Sequence, residues 1–169
     1  SVRRITCHLL EQGRTLPGFI GDISYAQSNR ERYEGFCQAL ADAGKKVDSS
    51  LCLTTPLGID TYREEIDTFL SSLSRMPDAF VCASDYVACI LMQLLEKRGL
   101  RVPEDVAVSG FDNNTEDLLA EHLTTVQVFN EELGARLALQ ILYRIKYPNT
   151  PHEITYLGTN VLYRDSTGD

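Results

Sequence analysis

Apolar positions along this chain alternate between short unbroken runs and stripes that recur every three or four residues. The runs predict strands over Thr15–Ile23, Leu51–Thr54, Ala79–Ala83, Asp105–Ser109 and Leu123–Val128. The stripes predict helices over Val2–Gln12, Gln27–Ala43, Asp60–Arg75 and Asp85–Arg98, with a short one near Thr115–Ala120. Ile5 and Leu9, then Phe36 and Leu40, Ile66 and Leu70, and Leu91 and Leu95 mark the inward faces. Gly13, Gly44 and Gly99 stand where three of these helices should stop, and Ser28 or Asn29 is placed to cap the second. Strand and helix alternate, and parallel strands need crossovers. The expected fold is therefore α/β, a three-layer αβα arrangement with a mainly parallel sheet covered on both faces.

After Phe129 the rhythm changes. Asn130 should cap a long helix running to Ile145, with Leu133, Leu137, Ile141, Leu142 and Ile145 on its apolar side. Pro148–Pro151 reads as a turn, and Ile154–Arg164 as one or two strands.

Two predicted strands end in polar groups. Ala79–Ala83 runs into Ser84-Asp85, and Asp105–Ser109 into Gly110-Phe111-Asp112-Asn113. In open parallel sheets small ligands bind at the carboxyl ends of strands, near a topological switch point. The chain thus looks built to hold a small polar molecule. Asp112 could receive two ligand hydroxyls, or could simply shape a turn, since Asp and Asn favour turns unaided. Asp85 could cap the following helix.

Composition narrows the field. The 169 residues carry a net charge of −8, a surface that repels phosphate backbones, so this piece alone should not bind DNA. No apolar run is long enough for a membrane span, and no signal-peptide pattern opens the chain. Cys7, Cys37, Cys52, Cys82 and Cys89 are odd in number and show no CxxC spacing. They are expected to be reduced, mostly buried thiols of a cytoplasmic protein. His8, His122 and His152 have no ligand-like spacing, so no metal and no cofactor is expected. Asp22, Asp85 and Asp112 at strand ends could suggest metal-assisted phosphoryl chemistry. Yet no P-loop, GxSxG or HExxH occurs, and no enzyme is expected.

A set of short motifs then falls into a familiar order. They are Leu9-Leu10-Glu11-Gln12-Gly13-Arg14, Arg32-Tyr33-Glu34-Gly35-Phe36, Pro77-Asp78-Ala79-Phe80 and Ala83-Ser84-Asp85. Further on come Arg98-Gly99-Leu100-Arg101-Val102-Pro103-Glu104-Asp105, Gly110-Phe111-Asp112-Asn113, Leu123-Thr124-Thr125-Val126 and Leu162-Tyr163-Arg164-Asp165-Ser166-Thr167. Together they span nearly the whole chain, and it resembles the effector-binding core of lactose-repressor-type (LacI/GalR) transcription regulators.

The resemblance implies a type I periplasmic-binding-protein-like lobe. Residues 1–128 would be the C-terminal lobe, 129–156 a remnant of the N-terminal lobe, and 157–169 the return to the C-terminal lobe. The helix-turn-helix headpiece that contacts DNA would lie outside this chain. A sugar or sugar derivative would bind between lobes, touching Arg32, Asp112, Ser84, Asn114, Tyr86 and Asn130. Cys89, Met92, Gln93 and Asp60 would lie on a homodimer surface. Where the family places a ring-stacking side chain, the loop Thr54-Thr55-Pro56-Leu57 has no Trp or Phe. A stacking aromatic would come from Tyr25, Tyr86 or the other lobe. The alternative is a periplasmic or extracellular sugar-binding protein of a transporter, which shares the fold.

Overall fold

Four strands, β1 (Pro17–Ile20), β2 (Cys52–Leu53), β3 (Ala79–Cys82) and β4 (Ala107–Ser109), form a parallel sheet in the order β2-β1-β3-β4. The structure is a computed structural model that describes residues 1–58, 60–114 and 118–169, with 118 and 120 as backbone only. The helices are α1 (Val2–Glu11), α2 (Gln27–Asp42), α3 (Tyr62–Ser72) and α4 (Asp85–Lys97).

The strands are buried on both sides, and the period of two assigns alternate residues to opposite layers. Phe19, Ala79, Val81 and Ala107 pack with Ile5, Leu9, Phe36 and Leu40 from α1 and α2. Ile20, Phe80, Cys82 and Val108 pack with Ile66, Leu70, Leu91 and Leu95 from α3 and α4. Each such large side chain, removed wholly from water, contributes about 1.5–3 kcal/mol.

This layering positions the site. The chain leaves β1 through α2 on one face to reach β2, then returns through α3 on the other face to β3. The winding direction therefore reverses between the neighbouring strands β1 and β3, and a crevice opens at their carboxyl ends.

β5 (Thr125–Gln127) extends this architecture through parallel bridges Ser109–Thr124 and Asp112–Gln127, and it pairs antiparallel with β6 (Asn160–Leu162). The last turn is stitched in: the Ser166 hydroxyl donates to Val108 O at 2.6 Å and accepts from Thr124 N–H at 2.8 Å. Between β5 and β6, α5 (Asn130–Lys146) has no buried residue, and Leu137, Ile141, Leu142 and Ile145 are all exposed.

Several local expectations change. The strands are shorter than the apolar runs, because Asp105 turns back to bind Arg101 and β4 starts only at Ala107. Asn130 is the first helical residue of α5 rather than its cap; Phe129 holds that position. Likewise α2 starts at Gln27, so Ser28 and Asn29 lie inside its first turn, and the Asn29 amide donates to Asp22 O instead. Ser84, not Asp85, caps α4. Of the helix expected over Thr115–Ala120, residues 115–117 lie outside the described residues; a 3-10 turn covers Leu118–His122. Only one strand forms within Ile154–Arg164. Two of the five cysteines, Cys82 and Cys89, are buried, and Cys7, Cys37 and Cys52 are half-buried.

Candidate functional site

Three connections meet at the crevice. The β1–α2 loop is shaped by Asp22, whose carboxylate accepts from Ser24 N–H (2.7 Å), Ser24 Oγ (2.6 Å) and Tyr25 N–H (3.1 Å). Burial raises its pKa, but these bonds and one from Leu57 outweigh it and hold the carboxyl below its usual value. Asp22 is therefore an ionised loop organiser.

One turn into α2, Arg32 reaches across the mouth of the crevice. Its Nη1 donates to Ala83 O at the end of β3, and its Nη2 lies 3.4 Å from Asp112 Oδ1. The guanidinium rests on the Phe111 ring, 3.7 Å from the centroid. Burial pulls the pKa of Arg32 down, with Asp112 opposing. A fork held by a carbonyl, a ring and a carboxylate is pre-aimed, so binding would cost little rotamer entropy.

Asp112 adopts φ 113° and Asn113 φ 54°, conformations uncommon for residues other than glycine. Long-range bonds impose them. Asp112 N–H donates to Val126 O at 3.1 Å. Asn113 Nδ2 donates to Gln127 Oε1 at 2.6 Å, and its Oδ1 accepts from Arg164 Nη2 at 2.8 Å. The turn turns the Asp112 carboxylate toward Arg32 while leaving its side chain 44% exposed. Burial raises its pKa, Arg32 lowers it, and nearby Asp85 raises it again. The result is a reachable acceptor beside a fixed donor fork, suited to adjacent hydroxyls of a neutral polyol.

Beneath them, Asp85 is 2% exposed. Its carboxylate accepts from Thr125 Oγ1 at 2.6 Å and Asn114 N–H at 2.8 Å, while its own N–H donates to Phe111 O at 2.8 Å. It ties the start of α4 to the loop carrying Asp112. Ser84 stands extended just before the first helical residue, and its Oγ caps the helix by accepting from Val87 N–H.

The structure thus brings Arg32 and Asp112 together, with Ser84 next in the chain to the carbonyl that Arg32 holds and committed to the cap of α4, and with Asn114 tied by its N–H to Asp85. Tyr86 is 59% exposed on the far side of Ser84 and meets Tyr62 edge-on, with centroids 5.7 Å apart. Asn130 is exposed at the start of α5, beyond Val128 and Phe129. Sequence reasoning missed Arg164 and the bed formed by Phe111. The adjacent Asp-Asn pair was the available signal for a left-handed turn; the 51-residue separation of Arg164 from Asn113 offered none.

The residues expected on a dimer surface divide. Asp60 and Gln93 line a recess of about 410 Å³ with Tyr62, Arg63 and Tyr86. Met92 is partly exposed and borders a separate groove with Leu100 and Val102. Cys89 is 4% exposed and packs in the core, a correction that follows from α4 being covered over most of its circumference. Among the described residues no His, Cys, Asp or Glu cluster could hold a metal ion, and no helix is long and apolar enough to cross a membrane.

Comparison with known proteins adds a second line. The profile of the periplasmic binding protein-like domain matches residues 6–167. The HTH-type transcriptional regulator DegA of Bacillus subtilis (strain 168) is 35% identical over 130 residues, covering 76% of this chain and 38% of that protein. A transcriptional regulator of the LacI family from Sanguibacter keddieii DSM 10542 superposes with a TM-score of 0.84 at 28% identity, covering 99% of this chain and 64% of the other. The transcriptional regulator CelR in complex with cellobiose superposes with a TM-score of 0.86 at 30% identity, covering 98% and 50%. The chain spans about half or less of the length of the curated relatives it matches.

Proposed function

The chain belongs to the periplasmic binding protein-like family, with LacI-type regulators as its relatives, and from that premise we propose that it is the effector-sensing core of such a regulator. The observation that carries this is the Arg32–Asp112 pair, 3.4 Å apart at the reversal between β1 and β3. The effector class is a neutral sugar or sugar derivative. Its vicinal hydroxyls would accept from the Arg32 fork and donate to Asp112, with Ser84 and Asn114 at the edge. The relative CelR is solved with cellobiose, which fits the same class. Residues 129–156, including α5 with no buried residue, would complete a second lobe, and residues 157–169, including β6, would return to the first.

A ligand that contacts both lobes favours the closed arrangement by its difference in affinity for the two states. Closure would act on operator binding through a DNA-binding segment distinct from this acidic surface. Self-association along Met92 and Gln93 would set the spacing of two such segments. The relatives favour a regulator over a transporter's binding protein. No catalytic role is proposed for any residue.

The test is calorimetric titration of this chain with ribose, glucose, galactose and cellobiose, repeated for Arg32→Ala and Asp112→Ala. Binding of at least one sugar, weakened about tenfold or more by each variant, is expected. Sugar binding that survives both substitutions would refute the assignment of the site.

A further inference from the structure

We propose that α5 docks against the α5 of a second copy of this chain, the two helices antiparallel about a two-fold axis near Ala138. The inference goes beyond the sensing reading, because a second copy and a second lobe would compete for one face. α5 is 17 residues long and none of them is buried. A helix of that length draws most of its stability from packing an apolar face. One side already has company. Residues 150–155 run beside Arg136, Gln140, Tyr143 and Arg144. There Gln140 Nε2 donates to Thr155 Oγ1 at 2.9 Å and Arg144 Nη1 to Pro151 O at 3.2 Å. The other side carries the apolar stripe. Leu133, Leu137, Ile141 and Ile145 recur every four residues with Leu142 beside them, and all five are 47% to 72% exposed.

Charge selects the occupant. The chain carries a net −8, so two copies repel each other over most of their surface. α5 differs. It holds Glu131 and Glu132 in its first turn, Arg144 and Lys146 in its last and Arg136 between them, a net +1. Acid leads and base trails. An antiparallel pair therefore lays each acidic turn on the other copy's basic turn and opposes the two helix dipoles, whereas a parallel pair stacks like on like. Shape agrees with charge. Ala138 is the midpoint of the helix, so a two-fold axis there sets Ala138 against its counterpart and Leu142 of one copy over Gly134 of the other. A Cβ added at Gly134 meets nothing within 4 Å, so the notch is open to receive a side chain. Such a contact is isologous and closes at two copies instead of growing into a filament.

The experiment is sedimentation equilibrium of this chain from about 1 to about 300 μM. The parent should pass from monomer to dimer within that range. Leu137→Lys changes an exposed position and should weaken association about tenfold or more with an unchanged circular dichroism spectrum. Gly134→Leu fills the notch. It adds apolar surface and helix propensity, yet it should also weaken association about tenfold, where non-specific sticking would grow stronger. Glu131→Lys and Lys146→Glu should each weaken it about threefold, and the two combined should restore it. A short bismaleimide should join two copies of the Ala138→Cys variant, with peptide mapping placing the link at position 138 in both. A chain that stays monomeric throughout leaves the face to a second lobe and overturns the pairing. Association that survives Leu137→Lys but is lost with Met92→Lys moves the contact to α4 and likewise overturns it. So does a Gly134→Leu variant that associates more tightly, or a charge-swapped double variant weaker than either single one.

Discussion

Replacing Asp85 by alanine removes the acceptor on which the site loop hangs. The carboxylate is 2% exposed and receives the Thr125 hydroxyl at 2.6 Å and the Asn114 N–H at 2.8 Å. Thr125 is fully buried, so its hydroxyl would lose its acceptor inside the protein, keeping only the Asn113 N–H that donates to it. Leaving a buried donor unsatisfied costs about 1–3 kcal/mol, and a second, partly exposed donor about 1 more, giving about 2–4 kcal/mol for Asp85→Ala. With a urea slope of about 2 kcal/mol/M, the midpoint should fall by about 1–2 M. Asp85→Asn keeps the volume and one acceptor, and should lose about 1 kcal/mol. The pH dependence gives a sign. Burial raises the Asp85 pKa, and the bonds from Thr125, Asn114 and Phe111 and the charge of Arg164 only partly offset it. The folded protein therefore holds this proton more tightly than the unfolded chain. Stability from the carboxyl is full below its unfolded pKa and declines as pH rises through the folded value. The advantage of the parent over Asp85→Asn should thus shrink as pH rises from acid toward neutral. An alanine variant within 1 kcal/mol of the parent, set against the estimate above, or an advantage that grows with pH, would refute this account.

Other perturbations test neighbouring parts of the argument. Gly21→Ala would put a Cβ 2.2 Å from Ala83 Cβ where β1 and β3 leave the sheet; thermal unfolding should show a loss of about 1–3 kcal/mol, and an unchanged melting point would contradict the packing. Asp105 is held at about 2, chiefly by the Arg101 side chain. Its stabilisation should be present above the unfolded carboxyl pKa and lost as pH falls through about 2, and Arg101→Gln should move its NMR titration up toward the ordinary range, the Arg101 backbone N–H still holding part of the shift. Burial pushes the Cys52 thiol up to about 11, so at pH 8 iodoacetamide should label it more than about a hundredfold slower than in urea; equal rates would show that the thiol is open to solvent.

Much of the framework was legible in the pattern of side chains. Alternate residues of β1 and β3 divide between two cores as a period of two requires, and Phe36, Leu40, Ile66 and Leu70 face inward as the helical stripes require. Gly13, Gly44 and Gly99 do end helices, at φ 90°, 68° and 73°. These features depend on neighbours a few residues apart, and a local pattern can encode them.

Tertiary structure decided the rest. Nothing local could announce that β1 would lie between β2 and β3, so that Arg32 and Asp112, 80 residues apart, would face each other across the reversal. Nor could the Ser84-Asp85 pair say which residue caps α4. That follows from where the helix begins: Asp85 is its first residue and bonds Thr125 and Asn114 from later in the chain, and the extended Ser84 before it is the cap. Cys89 points inward because the sheet and neighbouring helices cover most of the circumference of α4, a breadth of contact that a sequence stripe cannot measure. The sequence by itself determined which segments are strands and helices and which faces are apolar, since those follow from periodicity and backbone sterics. The site exists only because distant polar groups, once brought together away from water, must satisfy one another.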